Sequence, residues 1–150
     1  MDTNSEYFRA GVGALIRRGD GRLLAFARAT GVAVEWQLPQ GGLLPGESPR
    51  DAVYREILEE TSIPAERLVL VDEAAEWVGY ELPESYRASK TGRGQVQKWF
   101  LFDFPGIDAD IRPDNIEFKE WRWLQPIELL PLTASFRRPV YALMFKRFAL

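Results

Sequence analysis

Glu47, Glu56, Glu59 and Glu60 are the residues of this chain that could do chemistry together, with Gly41 and Gly42 just upstream of them. Clustered carboxylates offer hard oxygen ligands to Mg²⁺ or Mn²⁺. Glycine backbone beside them can approach a phosphate closely. On a helix, Glu56 and Glu60 are surface neighbours, and their like charges repel by a few tenths of a kcal/mol. A bound divalent cation would offset that repulsion. For the helical glutamates alone, a solvated acidic face carrying one Arg55–Glu59 pair is the better reading. Only the glycines, Glu47 and the full spacing tip the balance towards metal.

Absent residue types narrow the chemistry. The sequence has no histidine and no cysteine. That excludes a histidine base, Ser-His and Cys-His nucleophiles, disulfides and the usual zinc sites. Acid–base work falls to Glu, Asp, Lys, Tyr or metal-bound water. Net charge is −3, so a general nucleic-acid coat is not expected, nor is binding to duplex DNA. Basic residues do cluster locally. Arg87, Lys90, Arg93 and Lys98 form one group and Arg137–Arg138 another. Either could hold a phosphate-rich end, or be solvated loop charge, the plainer reading for Arg87 and Lys90.

The helix that must position the glutamates is legible. Ser48 suits the N-cap, Pro49 the first turn, and Asp51 lies three residues after the cap. At about 100° per residue, Val53, Tyr54, Ile57, Leu58 and Thr61 fall on an apolar side, opposite Arg55, Glu56, Glu59 and Glu60. Around it, residues 8–18 and 22–28 read as strands joined by a turn at Gly19-Asp20-Gly21. Further strands are expected at 36–39, 68–75, 76–82, 96–104 and around 121–124. The glycine stretch after residue 39, residues 83–94 and residues 105–115 are expected loops. Helices are expected at 126–130 and 136–148. Helices separated by many strands indicate an α/β layered domain with a mixed sheet.

The 150 residues suit one domain, residues 1–150, with residues 1–6 expected to be flexible, and 46% apolar content supplies a core. No apolar run approaches 18 residues, so no membrane span or membrane partner is expected. Residues 1–6 are too polar for a secretory signal. A cytoplasmic location is expected, and oligomeric state is not legible.

Residues 41–63 resemble the signature of the Nudix hydrolases. Gly41, Glu47, Arg55, Glu56, Ile57, Glu59, Glu60 and Ile63 match it, and Ser62 departs from its usual glycine. That serine could strain the helix exit. Outside the signature, residues 36–42, 94–100, 117–124 and 135–141 resemble the bacterial RNA pyrophosphohydrolases and related dinucleoside polyphosphate hydrolases.

The resemblance implies an α/β/α sandwich with a central mixed sheet. It implies hydrolysis of a phosphoanhydride with two or more Mg²⁺ or Mn²⁺ ions. Gly41, Glu56, Glu59, Glu60 and Glu117 are the implied metal set. Arg55 would orient the glutamates and pair with Glu47. Glu117 would be the base, with Glu120 its alternative. Gln40, Gln95, Gln97 and Lys98 become candidates for phosphate and nucleotide contacts, as does Arg9. Phe136 becomes a candidate for stacking on a base. The substrates implied are the triphosphorylated 5′ end of RNA or diadenosine tetraphosphate. ADP-ribose, a nucleoside triphosphate, or a non-catalytic nucleotide-binding role are the alternatives. Members often carry two adjacent arginines where this chain has Arg28-Ala29, and the loop at 30–35 is longer and more apolar. Both differences weaken RNA relative to dinucleotides. Trp36, Trp99, Trp121 and Trp123 read as packing residues.

Overall fold

The structure, a computed structural model, describes residues 6–28, 34–87, 92–116 and 118–150. Its spine is β1 (Phe8–Arg17), whose residues 11–16 carry no charge and are all buried. A strand covered on both faces reads as such a continuous apolar run. It pairs in parallel with β7 (Gly94–Asp103) from Phe8↔Gly94 to Arg17↔Asp103. β2 (Leu23–Arg28) returns from the expected turn and pairs with β3 (Trp36–Gln37) and with β8 (Phe118–Leu124). β5 (Val69–Glu73) and β6 (Val78–Glu81) both run antiparallel to β7.

With β4 (Gln40–Gly42) the sheet has eight strands among the described residues and is mixed, as expected. α1 (Pro49–Thr61) covers one face, over Val12, Ala14, Ile16, Phe100 and Phe102. α3 (Arg138–Arg147) covers the other, over Leu15, Trp99 and Leu101, and follows the short α2 (Pro126–Leu129). These two apolar layers make the sandwich. Among the described residues, no helix is long and apolar enough to cross a membrane.

Three local expectations need correction. The glycine stretch is not a loop: it is β4, in the register Gly11↔Gly42, Val12↔Gly41 and Gly13↔Gln40. Its backbone bonds go to β1, with Ala14 N donating to Pro39 O at 3.0 Å and Leu43 N to Ala10 O at 3.1 Å. The strands lie so close that a Cβ on Gly11 would sit 2.6 Å from Gly41 O.

The buried side of α1 is also rotated from the expected one. Ala52, Val53, Ile57, Glu60 and Thr61 are buried, whereas Leu58 is 51% exposed. The side-chain-poor β4 leaves room for Glu60, and Gln40 N donates to its Oε2 at 3.4 Å. Finally, the C-terminal helix begins at Arg138, two residues later than expected, with Arg137 as its N-cap.

The caps of α1 follow the sequence. Asp51 N donates to Ser48 Oγ at 3.1 Å. At the exit Ser62 does take the left-handed backbone, with φ 66°. Left-handed geometry costs a non-glycine residue roughly 1–2 kcal/mol. The Ser62 hydroxyl donates to Arg112 O at 3.0 Å, and a net gain of about 1 kcal/mol for such a bond offsets much of that.

Candidate active site

Arg55 organises the glutamates. Its Nε and Nη2 donate to the two oxygens of Glu47 at 2.8 and 2.9 Å. The same Nη2 reaches Gly42 O at 2.8 Å, tying the helix to β4. Nη1 donates to Glu56 Oε1 at 2.8 Å and to Glu59 at 3.3 Å. The expected Arg55–Glu47 lock is therefore present, and so is the Arg55–Glu59 pair. Hydrogen bonds from Arg55 and from Leu44 N hold the Glu47 carboxyl down at about 2.

Glu56 behaves differently. Its carboxylate fills the space where a Gly41 side chain would stand. Burial pushes its carboxyl up, Arg55 pulls it down, and Glu59 adds to the rise. The net direction is upward, chiefly because the carboxylate is taken out of water. Glu47, Glu56, Glu59 and Glu60 surround one arginine, so a divalent cation would add compensating charge, and the donors at hand are all hard oxygens. Among the described residues, no three acidic side chains yet converge on one point. To share a cation, Glu59, 57% exposed in its side chain, and Glu56 would each exchange part of their Arg55 contact. The residues fit a hard cation.

The phosphate candidates do not form one cluster. Alternation along β7 places Gln95 and Gln97 on the Trp99 face, under α3, and Lys98 on the Phe100 face, under α1. Lys98 thus shares a face with the glutamates. Its ammonium donates to Ala75 O at 3.1 Å and pairs with Glu73 at 3.4 Å.

On the opposite face Arg9 lies beside Gln95 in the parallel register, its guanidinium over Gly42. Among the described residues no acid pairs with Arg9. Gln97, expected to touch substrate, is fully buried. Its Nε2 donates to Gln40 Oε1 at 2.9 Å and to Gln95 Oε1 at 3.1 Å, so it aligns those two instead.

Phe136 is not a bare platform. Tyr80 stacks on it at 5.8 Å, Tyr86 meets it edge-on at 5.1 Å, and the Arg137 guanidinium lies 4.7 Å from the ring centroid. Tyr80 and Tyr86 were not singled out by the sequence, because their pairing with Phe136 arises only when distant segments meet. Trp36 and Trp99 are buried as packing residues; Trp123 stacks on Phe104 at 6.1 Å. Glu120 is exposed on β8. Glu117 and Lys90 lie outside the described residues.

Comparison with known proteins agrees with this architecture. The NUDIX domain family matches residues 7–144. An RNA pyrophosphohydrolase of Cereibacter sphaeroides is 40% identical over 146 residues, covering 94% of this chain and 90% of its own. One of Zymomonas mobilis is 37% identical over 151 residues, covering 97% of each. Among solved structures, a C. elegans Ap4A hydrolase binary complex superposes with a TM-score of 0.72 at 21% identity, covering 94% of this chain and 98% of that one. The E. coli dihydroneopterin triphosphate pyrophosphohydrolase gives 0.75 at 23% identity, covering 92% and 97%. At such identities the two structures speak to the fold alone.

Proposed function

This chain belongs to the NUDIX domain family and is a hydrolase of that family; on that premise we propose that it removes pyrophosphate from the triphosphorylated 5′ end of RNA. The observation that carries the chemistry is Arg55, which binds Glu47 and Gly42 O and holds Glu56 against Gly41. The likeness to relatives named RNA pyrophosphohydrolase supports the substrate.

Glu56, Glu59 and Glu60 would hold Mg²⁺ or Mn²⁺, two or more ions, with Glu117 and the Gly41 carbonyl completing the set. Such ions, when bound, offset phosphate charge and acidify water. Arg55 keeps Glu56 oriented and Glu60 is fixed by Gln40 N. Arg9, Gln40 and Gln95 contact the phosphates and nucleotide from the α3 face, and Lys98 contributes positive charge from the α1 face. Glu117 accepts the proton of the attacking water as its oxygen bonds to phosphorus and the bridging P–O bond breaks. On this assignment Glu117→Gln lowers kcat much more than it raises KM. A silent Glu117→Gln beside a damaging Glu120→Gln would move the base to Glu120.

One observation favours a second reading, cleavage of diadenosine tetraphosphate. Ala29 follows Arg28 where members often have a second arginine, and Arg28 itself donates to Gln37 Oε1 at 3.2 Å. The deciding experiment offers triphosphorylated RNA and diadenosine tetraphosphate in parallel with Mg²⁺ and identifies all products. Pyrophosphate release from RNA at the higher kcat/KM is expected. Preference for the dinucleotide, with nucleotide products only, would reverse the assignment. Phe136→Ala tests the stacking role in the same assay. It should hurt two-base substrates by about 5- to 150-fold more than mononucleotides, given roughly 1–3 kcal/mol per stacked base. Equal losses on all substrates would make Phe136 packing only.

A further inference from the structure

Glu73, the last residue of β5, stands between two cations from different elements. Its Oε1 accepts from Arg50 Nη2, in the first turn of α1, at 3.3 Å. Its Oε2 lies 3.4 Å from Lys98 Nζ on β7. The two cations differ in surroundings: Arg50 is 62% exposed in its side chain, whereas Lys98 is only 12% exposed. An exposed pair such as Arg50–Glu73 adds little to stability. A side chain covered as much as that of Lys98, by contrast, gains from a counter-charge held close.

We propose that Glu73 is a positioning residue: with the Ala75 carbonyl it fixes the Lys98 ammonium so that a remaining N–H is presented to a substrate phosphate oxygen. This rests on Lys98 being a phosphate contact. An ammonium has three donors and no acceptor. Here the Ala75 carbonyl takes one at 3.1 Å, and the Glu73 carboxylate pairs with the charge at 3.4 Å, so donor capacity remains for a phosphate. Glu73 also accepts from Arg50, on the same helix that carries the glutamates.

The sheet register puts Lys98 at a useful distance. Val12 pairs with Lys98 on one side and with Gly41 on the other. Two interstrand steps, roughly 10 Å, therefore separate the Lys98 backbone from Gly41, where Glu56 sits. A polyphosphate chain can span that gap, with one end at the glutamates and another phosphate at Lys98. Lysine is long and flexible, and immobilising it upon binding would otherwise weaken affinity. Glu73 has already ordered it in the free enzyme.

The test is a double-mutant cycle read by steady-state kinetics on triphosphorylated RNA and on diadenosine tetraphosphate. The size follows from the ordering cost of one long side chain, about 2- to 12-fold in affinity. Glu73→Gln should raise KM by that factor with kcat little changed. Glu73→Asp, too short to keep both contacts, should fall between Gln and wild type. In a Lys98→Ala background Glu73→Gln should produce no further change, because the group it positions is gone. An equal KM rise in both backgrounds would make Glu73 a general structural residue and overturn the proposal. An unchanged KM, or a lowered one showing that Glu73 competes with substrate for Lys98, would overturn it as well. If Lys98→Ala alone leaves KM untouched, the phosphate-contact reading of Lys98 fails, and the positioning role fails with it. Thermal unfolding of every variant separates these outcomes from loss of fold.

Discussion

Glu56→Gln and Glu60→Gln each lower kcat by about 10²-fold or more, equivalent to roughly 2.7 kcal/mol in the barrier, while the protein stays folded. Each substitution keeps the shape of the side chain and removes its charge. For Glu60 the fold should survive, because a glutamine carbonyl can still accept from Gln40 N. For Glu56 the Arg55 contact weakens, but Arg55 keeps Glu47 and Gly42 O. In the absence of metal, replacing Glu56 even relieves charge, since burial already pushes its carboxyl up. The loss therefore appears in turnover and in affinity for Mg²⁺ rather than in unfolding midpoint. Titrating Mg²⁺ for each variant checks this. Near-normal rates at saturating Mg²⁺ in either variant would remove the glutamates of α1 from the metal site.

Much of that site is written locally. Ser48, Pro49 and Asp51 announce where α1 begins, and the Glu47–Arg55 lock follows from the spacing of the signature. The strands of the sheet are legible because their apolar runs have the right length and sit between turns. What is not legible depends on partners distant in sequence. Gly41 and Gly42 have no side chains to reveal a strand period, and only the backbone of β1 makes them one.

The burial of Glu60 is hidden for a related reason. Helical periodicity groups it with Glu56 and Glu59, yet the neighbour that receives it is the backbone of Gln40. Alternation shows that Gln97 and Lys98 point to opposite faces, but not which face α1 will cover. That is settled by the packing of Ile57 with Val12, Phe100 and Phe102. Likewise, Phe136 looks like an available ring until β6 brings Tyr80 and the following turn brings Tyr86.

Gly41 offers the sharpest test of how tightly the site is built. A Cβ added there would overlap the Glu56 carboxylate, so Gly41→Ala must displace either the carboxylate or β4. The strand is poorly placed to yield, because Arg55 holds Gly42 O at 2.8 Å and the neighbouring backbone is bonded to β1. Glu56 is then the group that moves, and its contact with Arg55 moves with it. Misplacing a positioned group by about 1 Å can cost on the order of 10²-fold in rate, and one methyl group suffices here. We expect Gly41→Ala to reduce kcat to a level close to that of Glu56→Gln, with the charge of Glu56 still present. The double variant should be no worse than either single one, since both act on the same carboxylate. Additive losses would show that Gly41 acts apart from Glu56, through its carbonyl or through the shape of β4. Wild-type kcat in Gly41→Ala would mean that Glu56 need not lie against this strand during turnover.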